Sequence, residues 1–245
     1  MASQPLRSYL AGVETSIPLP PLRHWFGEAR VASDWVRGRL VEKALAARYP
    51  GDGRAVIVLP GLFTTDNRTA MLRRVLRTAG YRTYGWGQGR AMPVRADSLD
   101  RFDARVTEVM QREGGAKSEA VTLIGWSLGG IIARAYATNH PGKVRQVITL
   151  GSPFSGSPRA NRAWAIYELI ADHKVDAPPI AHERSGKPPV TTVAIWSARD
   201  GIVSVASARG TDAERDHEIE VACGHFAMTS APDALEAVLR SLAEA

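Results

Sequence analysis

The chain has 245 residues, 44% of them apolar and 23% charged, which suits one medium domain with a full two-sided core and excludes a disordered chain. Its formal charge is +6, but the arginines that dominate the positive side are scattered, so no run or aromatic-interleaved patch marks a nucleic-acid binder. A single cysteine, Cys223, excludes an intramolecular disulfide framework and fits a reducing, cytoplasmic setting.

Met1–Arg23, broken by prolines at 5, 18, 20 and 21, reads as an extended arm or a disordered one, not as a charged leader running into an apolar stretch. From His24 to Tyr49 the composition is helical, with Trp25, Phe26, Val31, Trp35, Val36, Leu40, Val41, Ala44 and Leu45 recurring at spacings near three and four. Such a stripe reads first as core. An acyl-binding surface or a transient contact with a membrane face is the alternative. Residues 1–50 are therefore expected to form a helical extension of a single domain spanning 1–245.

Beyond the turn Pro50–Gly53, the short apolar run Ala55–Leu59 reads as a buried strand ending at Pro60-Gly61. A helix is expected from near Asp66 to Gly80, a strand over Tyr81–Trp86, and an amphipathic helix over Ser98–Glu113, with Ser98 as its cap. Further strands are expected at Val121–Ile124, Val144–Leu150, Val190–Trp196 and Ile219–Val221, and a last helix at Pro232–Ala243. Strands separated by helical stretches argue for right-handed βαβ units and a mostly parallel sheet of about six strands, covered on both faces. Nowhere do 18 apolar residues run together, so no transmembrane segment is expected.

Gly125-Trp126-Ser127-Leu128-Gly129 sits between an apolar strand and the helical stretch Gly130–Asn139, the context of a G-x-S-x-G nucleophile elbow. The two glycines let the chain turn sharply, and the turn holds Ser127 out at a helix N-terminus, where unpaired N–H groups favour developing negative charge. The glycines at 85, 87 and 89 do not form a dinucleotide fingerprint, and Gly129-Gly130 lacks the Lys-Ser/Thr of a phosphate loop. The histidines are too dispersed for a zinc pattern, so no metal and no cofactor is expected.

On these residues the chain resembles the α/β-hydrolase superfamily, and within it the lipase and esterase branch. The resemblance implies an α/β-hydrolase fold and a triad in the order Ser, acid, His. Asp200, just past a strand end in the context Asp200-Gly201-Ile202-Val203, looks like the lipase-type acid; Asp172, Asp176 and Asp212 do not follow a strand directly. His225, in Gly224-His225-Phe226 between the last strand and the last helix, is the expected base, with His217 its rival. Pro60-Gly61-Leu62 resembles the His-Gly-x motif of lipases, with proline in the place of histidine, which puts backbone oxyanion donors at Leu62 and Leu128. Thr149–Gly156 is similar to the T-L-G-T-P-H-x-G stretch of lipases, and Gly85–Arg90 to a segment of bacterial lipase-like hydrolases.

The resemblance implies a serine hydrolase of small-molecule or lipid-like carboxylic esters. Acyl transfer on the same triad, or ligand binding without chemistry, are the alternatives. Residues 154–189 interrupt the strand–helix rhythm where the superfamily carries a lid, and a helical piece near Asn161–Ala171 would lay Trp164 and Leu169 over an acyl pocket. Phe63, Trp126 and Phe154 complete the expected substrate-binding set.

Overall fold

Ala55–Leu59 (β1) is buried at all five positions, as a strand covered on both faces must be. The computed structural model describes residues 19–21, 24, 28–115, 119–156 and 186–244. Around β1 it assembles a six-stranded sheet from Arg82–Gly85 (β2), Val121–Trp126 (β3), Val144–Leu150 (β4), Thr191–Trp196 (β5) and His217–Glu220 (β6). The order is β2-β1-β3-β4-β5-β6 and every pairing is parallel.

Helices Val31–Arg48 (α1), Ala70–Ala79 (α2) and Pro232–Ala243 (α6) cover one face, and Ser98–Arg112 (α3) and Leu128–Asn139 (α4) cover the other; a short helix, Val205–Arg209 (α5), follows β5. Alternation along each strand divides the core. Val56, Val58, Ile124, Ile148, Leu150 and Ile195 pack on the first layer, and Ile57, Leu59, Leu123 and Val147 on the second.

Most expected elements appear within a residue or two of their bounds, and four differ for physical reasons. Asp66–Thr69 is a 3-10 turn, not the first turn of α2, because Asp66 turns its carboxylate to the N–H groups of Trp86 and Gly87 at 2.7 and 2.9 Å. Ser98 is inside α3; its hydroxyl accepts from the N–H of Arg95 at 2.8 Å in the preceding loop. β6 begins two residues before Ile219, which makes His217 a strand residue. The fourth is α1, whose expected stripe faces the core only in part: Val31, Val41 and Leu45 pack on it. Its apolar residues Trp35, Val36 and Leu40 are exposed, while Asp34, Gly38 and Glu42 are buried together with Leu45 and Ala46. Close approach at Gly38 and the ion pairs of Glu42 supplement the apolar contacts of this helix.

The register decides where the site lies. Leu59 is paired with Gly125 and Trp126 with Leu150, so β1, β3 and β4 end level with one another. The loops that follow them emerge side by side at the carboxyl edge, where the chain order reverses between β1 and β3; open α/β sheets bind ligands at such a switch point.

Candidate active site

At the end of β3, Ser127 has φ 54° and ψ −120°, a conformation that costs a non-glycine residue free energy and that the surrounding packing must hold. Its N–H donates to the carbonyl of Leu150 at 2.9 Å, and its carbonyl accepts from the N–H of Gly130 at 3.0 Å. The flanking glycines are sterically required. A Cβ on Gly125 would lie 2.3 Å from the nitrogen of Gly130, and one on Gly129 would lie 2.6 Å from the carbonyl oxygen of Leu59. The side chain of Ser127 is half-buried at the N-terminus of α4.

Asp200 follows β5 and is 3% exposed. Its two oxygens divide their work. Oδ1 accepts from the N–H groups of Ile202 and Val203, both at 2.8 Å, and Oδ2 lies 2.7 Å from Nδ1 of His225. A carboxylate only accepts, so Nδ1 carries the proton and the neutral imidazole offers Nε2 as its acceptor. His225 opens a 3-10 turn after β6 and is 2% exposed. Burial is the largest single influence on its pKa and favours the neutral ring. The charge and hydrogen bond of Asp200, joined by the charge of Glu28, outweigh burial and the opposing charge of Arg68, so the pKa is raised above the ordinary imidazole value.

One backbone position ties the pair to the elbow. Leu150 receives the N–H of Ser127, and the next residue, Gly151, lies against both partners: a Cβ there would be 3.1 Å from Oδ2 of Asp200 and 3.1 Å from Nδ1 of His225. The rivals lie elsewhere. His217 is exposed on β6, and Asp212 is 97% exposed and paired with Arg215 at 3.1 Å; Asp172 and Asp176 fall outside the described residues.

The loop after β1 backs directly onto the elbow, since a Cβ on Gly61 would be 3.2 Å from that of Ser127. Among the described residues the N–H of Leu62 has no hydrogen-bond partner, whereas that of Phe63 donates to the carbonyl of Ala91 at 2.7 Å. The N–H of Leu62 is thus left as a free donor in this loop. Leu128 is the first residue of α4, so its N–H has no carbonyl a turn earlier in the helix to bond. The Gly85–Arg90 segment braces the arrangement from behind: Asp66 holds its backbone, and Arg90 donates to the carbonyl of Phe63 at 2.7 Å.

Of the expected substrate-binding residues, Phe63 is half-buried at φ 61° in this loop. Phe154 lies beneath the guanidinium of Arg134, 4.1 Å from it, and against Gly210. Trp126 is 2% exposed within the core, and its indole N–H donates to the carbonyl of His225 at 3.1 Å, so it carries the histidine loop instead of lining a pocket. Trp164, Leu169 and the greater part of the expected lid lie outside the described residues. Cys223, buried two residues from His225, is no rival nucleophile: burial and the charges of Asp233, Asp34 and Asp200 push its thiol pKa far up.

Sequence reading missed the supports of His225. The N–H groups of His225 and Phe226 donate to Glu28 at 2.7 and 2.9 Å, and the carbonyl of Phe226 accepts from Arg68. No local motif signals these contacts, because their partners lie 158 to 198 residues away in the chain.

The parallel sheet, its two helical layers and the carboxyl-edge serine turn define an α/β-hydrolase fold. Within that superfamily the chain belongs to the palmitoyl protein thioesterase family, whose model matches residues 55–187. Similar solved structures include the carboxylesterase CesB (YbfK) from Bacillus subtilis, at 10% identity, covering 86% of this chain and 98% of that one with a TM-score of 0.55. A monoacylglycerol lipase from Paleococcus ferrophilus is 15% identical, covering 80% of this chain and 94% of its own, with a TM-score of 0.52. MGS-MChE2, an α/β-hydrolase enzyme from a sediment metagenome of the Mar Chica lagoon, Morocco, is 22% identical over 78% of this chain and 91% of its own, with a TM-score of 0.52. No curated protein matches the sequence. No helix among the described residues is long and apolar enough to cross a membrane.

Proposed function

We propose that the protein is a serine hydrolase that cleaves acyl esters through a Ser127–His225–Asp200 triad and an acyl-enzyme. The observation that carries this reading is the buried Asp200–His225 pair at 2.7 Å, packed on Gly151 at the strand end that also receives the N–H of Ser127. In the first step Nε2 of His225 takes the hydroxyl proton as Ser127 Oγ attacks the acyl carbonyl. The resulting oxyanion faces the N–H groups of Leu62 and Leu128, each worth about 3–4 kcal/mol in the tetrahedral state. His225 then protonates the leaving group, and a water activated by the same nitrogen releases the acid. Asp200 holds the tautomer and stabilises the imidazolium.

A second reading, thioester hydrolysis, is favoured by the family to which the chain belongs. The same machinery serves both, because a thiolate leaves with less help from the general acid than an alkoxide does. The test has two parts. A fluorophosphonate should add once, with peptide mapping placing it on Ser127, and Ser127→Ala should abolish labelling and turnover. An adduct on another residue would sink the assignment. Matched acyl oxyesters and acyl thioesters of one chain length, compared by kcat/KM, then decide the leaving-group class.

A further inference from the structure

We propose that Glu28, in the turn Glu28–Arg30 ahead of α1, is a positioning residue that clamps the loop of the acid and the loop of the base to one another. The proposal rests on the serine-hydrolase reading above. Oε1 of Glu28 accepts the N–H of Gly201 at 3.0 Å and that of His225 at 2.7 Å, and Oε2 accepts the N–H of Phe226 at 2.9 Å. One carboxylate therefore bridges the residue after Asp200 and the two residues that begin the histidine turn. The site is built closely around it: Glu28 is 8% exposed, and a Cβ on Gly224 would lie 2.7 Å from Oε2.

These bonds complete a support with little slack. The N–H groups of His225 and Phe226 are held by Glu28, the carbonyl of His225 by the indole of Trp126, and the carbonyl of Phe226 by Arg68. Arg68 also lies over the Trp126 ring at 5.4 Å, so the two carbonyl supports brace one another. Charge-assisted bonds of this kind are stronger than neutral ones and fix direction. Relaxing them lets the two loops drift apart, and a displacement of about 1 Å in a reacting group can cost on the order of a hundredfold in rate.

Two substitutions separate the span from the charge. Glu28→Gln keeps one accepting oxygen but turns an amide N–H toward the N–H of Phe226 and removes the negative charge. Glu28→Asp keeps the charge and withdraws it by about 1.5 Å, one bond length, so it cannot reach both loops. The charged groups acting on His225 are Asp200 and Glu28, which favour its protonated form, and Arg68, which opposes it. With a p-nitrophenyl ester, well below each variant's melting midpoint, both substitutions should lower kcat by roughly ten- to a hundredfold with KM little changed. The rising limb of the kcat/KM–pH profile should move to lower pH in Glu28→Gln and stay near its wild-type position in Glu28→Asp.

Wild-type fluorophosphonate labelling at Ser127 must accompany the series, because its absence overturns the underlying reading whatever Glu28 does. With Ser127 labelled, a Glu28→Gln variant that melts earlier but keeps kcat and the limb would show a merely structural carboxylate and overturn the proposal. Should Glu28→Gln not fold, wild-type kcat in Glu28→Asp overturns it, and a loss of kcat with an unmoved limb supports it.

Discussion

Gly151 shows how little room the candidate site has at single-residue scale. Its φ of 53° lies in the left-handed region, and a Cβ there would meet Met228 Sδ at 2.7 Å as well as the Asp200–His225 pair. Gly151→Ala should therefore combine a backbone cost of about 1–3 kcal/mol with displacement of the pair. The expected outcome is a lowered melting midpoint together with a fall in kcat that persists at temperatures where the variant is fully folded. Wild-type kcat in the folded variant would mean that the pair tolerates the crowding. At this scale the proposed triad was legible as a pattern, because Ser127, Asp200 and His225 each follow a strand in a short motif. Trp126 was misread. An aromatic beside a nucleophile looks like a pocket wall in the sequence, and only the fold shows that its indole faces the His225 carbonyl.

Among the elements, the strands were the most legible, since a run buried on both faces has few other ways to fold. The facing of α1 was legible only in part: Val31, Val41 and Leu45 turn inward as expected, but the rest of the buried side is built from interactions that apolar periodicity does not register. Glu42 is 5% exposed and accepts from Nε of Arg74 at 2.9 Å with both oxygens, from the hydroxyl of Thr78 at 2.7 Å, and from Arg39 at 3.0 Å. Burial alone would raise its pKa, but the bonds from Thr78 and Arg74 and the two arginine charges together lower it. Farther along, Gly38 brings α1 against the segment before α6; a Cβ there would be 2.0 Å from the carbonyl oxygen of Ser230. Glu42→Ala is expected to cost about 1.5–3 kcal/mol, the range for hydrogen bonds to a charged group, read as a shift in the denaturant midpoint. Because the folded pKa of Glu42 is depressed, its stabilisation is present above the ordinary carboxylate value and is lost as pH falls through the folded one. The deficit of Glu42→Ala should therefore shrink in acid. Leu40→Ser, on the exposed side at 78% exposure, should stay within about 0.5 kcal/mol of wild type. A larger loss there would place that face against another surface.

For the molecule as a whole, the raised pKa of His225 couples activity and stability in opposite directions. The folded protein holds the ring's proton more tightly than the unfolded chain does, because Asp200 and Glu28 outweigh its burial. The stabilisation this provides is complete below the unfolded imidazole value, near 6.5, and is lost as pH rises through the higher folded value. The same deprotonation yields the neutral imidazole that the proposed mechanism needs as its base. Over one window, beginning near pH 6.5 and closing above the folded pKa, kcat/KM should climb while the melting midpoint declines. A His225→Gln variant should lose the activity limb, and the difference between its melting midpoint and that of the wild type should vary with pH across the window. Subtracting the two melting curves at each pH cancels the titration of groups that both proteins share, so the difference isolates His225. Midpoints that differ by a constant amount from pH 6 to pH 9 would mean that folding leaves the pKa of the ring unchanged. The carboxylates around His225 would then not set its protonation, and a limb displaced above the ordinary imidazole value would belong to another group.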